Sequence, residues 1–227
     1  MKISSLTALF ALLSAVVPTS AIEITDNFDN GVIDTSLWGI SLPFGGSQVQ
    51  ETGGNAVLTG RGGLNTLASF AGPVEIAGSF SFAGALDHFR IVFRSDLAFN
   101  SPTMERSGMI VIFAQAGEVQ IGESEISSLA IGTFNPAGNV DFRILDDGTT
   151  VNLFVNDAVT PLLTAASSHR TGDKIAFYNR EFPFNVLQID HLQISSVPEA
   201  GLGIVGAATL AILLLFGQRR LRNCHSA

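Results

Sequence analysis

Between residues 24 and 195, runs rich in Val, Ile, Phe and Thr recur about every ten residues, with Gly, Asn, Asp and Pro between them, the spacing of an all-β sandwich or barrel. The stretch 77–82 alternates small or polar residues with apolar ones. In 88–94, Phe89, Ile91 and Phe93 fall on one strand face, and His88, Arg90 and Arg94 on the other. Residues 108–114 are continuously apolar and β-branched, and that short run predicts an interior strand rather than a helix. The clearest hairpin runs up over 140–145, turns at Asp146-Asp147-Gly148 and returns over 150–156. Strands over 174–179 and 187–195 close the pattern. No stretch sustains a 3.6-residue apolar period and no internal repeat stands out; the one helical segment the pattern admits is short, at 123–129.

The two ends read differently. Lys2, an apolar run of 12 residues at 6–17, and Pro18-Thr19-Ser20-Ala21 have the order of a secretory signal peptide cleaved after Ala21, so signal peptidase is a predicted partner. Residues 201–217 carry no charge over 17 residues. At about 1.5 Å per residue they reach roughly 25 Å, the short end of a bilayer crossing. Arg219, Arg220 and Arg222 follow and belong on the cytoplasmic side, which leaves everything before Pro198 outside. The predicted organisation is a signal peptide at 1–21, a β-sandwich domain at 22–195, and a tail at 196–227 holding a transmembrane helix.

Charge and cysteine use narrow the function. All 20 acidic residues lie between Glu23 and Glu199, where only 8 of the 12 basic ones fall, giving the exported body a net charge of about −12. Such a body repels nucleic acid and anionic lipid headgroups. The single cysteine, Cys224, lies in the tail, so the body folds in an oxidising compartment without a disulfide. A body of roughly 175 residues is large enough to do so on its core alone.

Val197-Pro198-Glu199, the apolar span and the terminal Arg cluster together resemble the PEP-CTERM sorting signal of Gram-negative bacteria, with Ala200 where that family usually has a second Pro. The resemblance implies an exosortase-type membrane protease as partner, removal of the hydrophobic tail, and an exopolysaccharide or biofilm setting at the cell surface. Asn27-Phe28-Asp29, Asp34-Thr35-Ser36-Leu37-Trp38, the hairpin 142–156 and the strand 189–194 resemble concanavalin A-like and laminin G-like domains. That likeness implies a jelly roll of two curved antiparallel sheets packed face to face.

Candidate chemistry is sparse. Relatives of that fold which hydrolyse β-glucans carry a carboxylate trio on one strand, of the form Glu-x-Asp-x-x-Glu. Here Glu123-Ser124-Glu125 supplies two carboxylates without a third, and a solvated polar loop accounts for it as well. There is no Gly-x-Ser-x-Gly elbow and no His pair at zinc spacing. His169 lies in a polar turn, and His191 suits a hydrogen-bonded role in the closing strand. No catalytic residue is predicted. For sugar binding, Trp38 reads as a core plug and Tyr178 as the better aromatic platform, with His88, Arg90 and Arg94 beside it as hydroxyl-gripping groups; a plain solvated face is the alternative. Asp26, Asn27, Asp29 and Asn30, with Asp190 brought near by pairing of the first and last strands, offer oxygen ligands for Ca²⁺; the alternative is a turn with Asx hydrogen bonds. The expectation is an exported, surface-sorted, non-catalytic β-sandwich protein of the extracellular matrix that binds or organises polysaccharide. A glycan-active hydrolase or lyase with an unrecognised site is one alternative, and a purely structural surface protein the other.

Overall fold

Period-two alternation decides which side of each strand is buried. In Val140–Asp146, positions 140, 142, 144 and 146 are buried while 141, 143 and 145 face outward. The computed structural model describes residues 21–42, 45–83, 88–96, 108–124, 127–180 and 186–197, all of them in one compact unit, Ala21–Val197. Its strands in chain order are β1 (Glu23–Asp26), β2 (Trp38–Ser41), β3 (Gln48–Thr52), β4 (Asn55–Thr59), β5 (Gly63–Thr66), β6 (Val74–Phe82), β7 (His88–Ser95), β8 (Met109–Ala114), β9 (Glu118–Ser124), β10 (Ser127–Thr133), β11 (Val140–Asp146), β12 (Thr150–Val155), β13 (Leu163–Ala166), β14 (Lys174–Asn179) and β15 (Val186–Ser196). No helix occurs among the described residues.

The strands form two antiparallel sheets. The larger, of eight strands, runs β13-β12-β11-β6-β15-β4-β3, with β1 also paired to β15; the smaller, of seven, runs β10-β9-β8-β7-β14-β5-β2. The hairpin expected around Asp146-Asp147-Gly148 is β11–β12, with Gly148 at φ 93°. Asp147 Oδ1 accepts the N–H groups of Thr149 and Thr150 at 2.8 and 2.6 Å. The helix expected at 123–129 is corrected: residues on both sides of 125–126 belong to the paired strands β9 and β10. Cross-strand pairing overrides a weak local helical pattern there. The closing strand extends through Ser196, paired with Val74, and Val197 N–H bonds Pro73 O at 2.9 Å, so the body runs two residues past the expected boundary. Residues 1–20 of the expected signal peptide and the expected tail from Pro198 on lie outside the described residues.

The inward faces of both sheets share one core. Its centre is a cluster of phenylalanines contributed by both layers: Phe80 of β6 lies with its ring centroid 4.6 Å from Phe89, 5.0 Å from Phe113 and 6.1 Å from Phe142. Phe carries no polar atom to satisfy, and tilted ring pairs add about 0.5–1.5 kcal/mol each beyond their burial. A disulfide-free body is held in this way. Trp38, 1% exposed, plugs one end as expected, packing against Phe28 and Phe177 and donating its Nε1–H to Asp26 Oδ2 at 2.8 Å.

One residue of β7 departs from strand parity. On β14 the step from Lys174 to Ala176 is matched on β7 by the step from Ser95 to Val92, so β7 carries one extra residue at 93–94. Arg94 takes φ 53°, left-handed for a non-glycine residue, and its side chain turns inward to Asp146 of the other sheet. Nε bonds Oδ2 at 2.8 Å, Nη2 bonds Oδ1, and Nη1 donates to Ser167 O at 2.7 Å. The pair is fully enclosed and ties the two sheets to the 167–172 loop, whose Thr171 and Gly172 N–H groups bond Arg94 O.

Candidate functional site

On the outer face of the larger sheet a depression lies over Ala77, a small residue in an otherwise bulky strand, while the next residue, Gly78, shares the inward face of its partners Phe142 and Leu192. Ala77 and Gly78 of β6 lie between β11 and β15, where Ala77 is opposite both Arg143 and Gln193, and Gly78 opposite Phe142 and Leu192. Beside them β15 bulges. Ile189 pairs with Phe80 and His191 with Ser79, so Asp190 is the extra residue. The bulge brings backbone close enough that a Cβ on Gly78 would meet His191 O at 2.5 Å. Glycine is required at that position.

The result is an open cleft of about 440 Å³, with Asp141 and Arg143 of β11 and Phe154 of β12 on one side, His191 of β15 on the other, and the turn at 157–159 as rim. Asn156 and Asp157 both take positive φ, 53° and 55°, as the two central residues of a tight turn that Asn and Asp tolerate best. Asn156 N–H bonds Asp141 O at 2.9 Å, and Asp141 N–H bonds Asn156 Oδ1 at 3.3 Å, fixing the rim to the strand. Arg143 and Phe154 are direct cross-strand neighbours, and the guanidinium carbon lies 4.1 Å from the ring centroid. Stacking holds that cation flat against the sheet without an ion pair among the described residues. His191 Nδ1 lies 3.2 Å from Asp190 Oδ2, both side chains about half exposed.

Two carboxylates, a guanidinium and an imidazole around a shallow cleft offer donors and acceptors of both kinds. That mixture suits a neutral polyhydroxylated ligand, whereas Asp141 and Asp157 oppose an acidic one. The sequence reading missed this site. Its one local signal was the small run Ala77-Gly78-Ser79 within a strand.

The residues expected to bind sugar lie elsewhere. Arg90 and Tyr178 are direct cross-strand neighbours on the outer face of the smaller sheet, with the guanidinium 6.0 Å from the ring centroid. Both are only 3% exposed, and Tyr178 packs with Val92, Ile110, Ile112 and Ala176, so that ring offers no open face to a sugar. His88, two residues along, is half-buried. Arg94 does not share their face, because the bulge in β7 turns it to Asp146.

The expected calcium ligands are also dispersed. β1 and β15 do pair, but the pairing ends at Asp26 opposite Leu192, and Asp190 sits in the bulge beside His191. Asp26 accepts Phe28 N–H at 2.9 Å as well as the Trp38 indole, and Asn30 Oδ1 accepts Val32 N–H at 3.0 Å, which is the Asx-turn alternative. Asp29 is exposed. Among the described residues no group of three His, Cys, Asp or Glu side chains converges as a metal site. Glu123 bonds the Ser167 hydroxyl at the end of β9; Glu125 lies outside the described residues.

No family model matches the chain, and no curated protein matches it. Solved structures do. The exoplasmic/lumenal domain of VIP36 in its Ca²⁺-bound form aligns with a TM-score of 0.61 at 11% identity, over 80% of this chain and 92% of that one. The fold is that of lectin-like β-sandwiches. A Bacillus subtilis protein of unknown function with a galectin-like fold aligns at TM-score 0.51 and 14% identity, covering 69% of this chain and 88% of that one. A structure described with endo-acting O-glycanases of the human gut microbiota aligns at 0.57 and 10%, covering 75% and 97%. The VIP36 domain has been solved with Ca²⁺ and a Man3GlcNAc ligand. Identities this low carry the architecture across and nothing of the binding residues.

Proposed function

We propose that this is an exported, surface-sorted, non-catalytic β-sandwich protein that binds extracellular polysaccharide through the cleft over Ala77 and Gly78. The observation that carries the reading is the side-chain set around that cleft, Asp141, Arg143 and His191 held on strand backbone and Asp157 on the tight turn that follows β12. It is supported by the lectin-like architecture and by a body whose charge excludes polyanions. The terminal Val197-Pro198-Glu199, apolar span and Arg cluster add sorting by an exosortase-type protease, with the membrane as a temporary residence. The presence of two carboxylates in one cleft favours, as second reading, a glycan hydrolase using Asp141 and Asp157 as its acid–base pair.

Incubating the body, residues 21–197, with neutral and acidic polysaccharides and measuring both co-sedimentation and newly released sugar ends separates the readings. Binding to neutral polymers without release, weakened at least about tenfold by Arg143→Ala or His191→Ala, is expected, since each removes a polar contact of roughly 1.4 kcal/mol or more. Release of sugar ends abolished by Asp141→Asn would overturn the non-catalytic reading. Retention by polymers unaffected by either alanine variant would remove the cleft from it.

A further inference from the structure

The two sheets end together on one side of the sandwich, where β10 is the outer strand of the smaller sheet and β13 that of the larger. A Cβ on Gly132 of β10 would come within 2.9 Å of Leu163 of β13, so the two edges are in contact. Among the described residues β10 pairs with β9 and with nothing on its other side. At seven residues it is the longest of the outer strands; β1, β2 and β13 have four each and β3 has five. Ser127, Ser128, Leu129, Ile131 and Thr133 are exposed, Ile131 to 60%. No residue in 126–140 or 158–168 carries a charge.

Proteins usually blunt such an edge with Lys, Pro or a bulge. Here the irregular register is confined to Ser127–Ala130, and from Ala130 to Thr133 the pairing with β9 is regular, with no charged residue or proline in the strand. Among the described residues, the row of backbone donors and acceptors on that side has no strand paired to it.

We propose that β10 is a self-association edge, on which a second copy of this chain sets its own β10 antiparallel across a two-fold axis and joins two seven-stranded sheets into one. Two identical antiparallel edges related by a two-fold are self-complementary without any further matching of surfaces. Charge selects the same occupant and the same place: bodies of net charge about −12 repel one another wherever charge is carried, and this edge carries none. A single strand pair flanked by Leu129 and Ile131 belongs to the small interfaces below roughly 1,200 Å² that form and break readily. Association is therefore expected where copies are crowded on a surface. A two-fold perpendicular to the joined sheet leaves the outer faces of both larger sheets, and so both clefts, on the same side. On the glycan reading above, the pair would be a bivalent binder of one polymer; the self-association itself does not depend on that reading.

The body 21–197 contains every residue of the core, from Ile24 to Ile194, and no cysteine. Sedimentation equilibrium without any sugar, from about 5 to 500 μM, should show its mean mass rising from one copy toward two, as a weak interface requires. Ile131→Lys, at an exposed position, should keep its fold by circular dichroism and shift that rise to at least about tenfold higher concentration. A body that stays monomeric throughout, or one that dimerises equally well as Ile131→Lys, overturns the proposal. Because no sugar is present, either result leaves the glycan reading where it stood.

Discussion

Neutralising Asp146 tests whether the Arg94 ion pair joins the two sheets. Asp146→Asn keeps an oxygen for the Gly148 N–H, which Asp146 Oδ1 accepts at 2.7 Å, so the hairpin turn survives while the charge goes. It leaves a guanidinium only 1% exposed with two carbonyls, those of Ser167 and His169, and no anion. An uncompensated charge at such depth costs about 3–5 kcal/mol. That is a large share of a total stability of about 5–15 kcal/mol. At about 2–4 °C per kcal/mol for a domain of this size, the melting temperature should fall on the order of 10 °C. Arg94→Met should cost a similar amount, because it strands a buried carboxylate; Met incurs the same positive-φ cost as Arg, so that term cancels. The double variant Arg94→Met/Asp146→Asn removes both charges and should be no less stable than either single variant, a coupling of at least about 2 kcal/mol by urea unfolding in a double-mutant cycle. Single variants within about 1 kcal/mol of the parent, or a double variant whose loss equals the sum of the two, would refute the idea that this pair holds the sandwich.

Two further outcomes follow from local geometry. Gly78→Val would drive a side chain into His191 O, the Leu192 side chain and the Phe142 ring, so the body should lose roughly 1–3 kcal/mol and its polysaccharide affinity together; unchanged melting would show that the β15 bulge relaxes freely. The hydrogen bonds from Thr149 and then Thr150 hold the Asp147 carboxyl below its ordinary value of 3.8. A depressed folded-state value means that the stabilisation is fully present above about pH 4 and is lost as pH falls through the lowered value. Asp147→Asn keeps the acceptor without the proton, so its melting temperature should decline less than the parent's between about pH 4 and 2, and equal slopes would count against the assignment.

Local pattern carried well where structure depends on near neighbours. The β11–β12 hairpin was legible because Asp-Asp-Gly and flanking alternation specify turn and faces within a few residues. Trp38 was legible as core because one indole near the first strand has few other places to go. The grouping of the residues expected to bind sugar was not. Three of the four, His88, Arg90 and Arg94, were placed by extrapolating alternation along 88–94, and the extra residue in β7 breaks that parity before Arg94. Tyr178 and Arg90 do face the same way, but the burial contributed by Ile110 and Ile112 comes from β8 and has no trace in either segment. Asp190 failed in the same manner, since a bulge against β6 decides where it points.

By itself the sequence determined an all-β body of strongly acidic charge, without cysteine, between two apolar segments at 6–17 and 201–217. Composition, charge and two-residue alternation are properties of single short segments, so they can be read one segment at a time. Only the tertiary structure decided which outward residues meet. Arg94 and Asp146 are 52 residues apart, and the cleft gathers Ala77, Asp141, Phe154 and His191 from four strands. A one-residue slip in register reverses every side chain beyond it, and register is fixed by partners far along the chain.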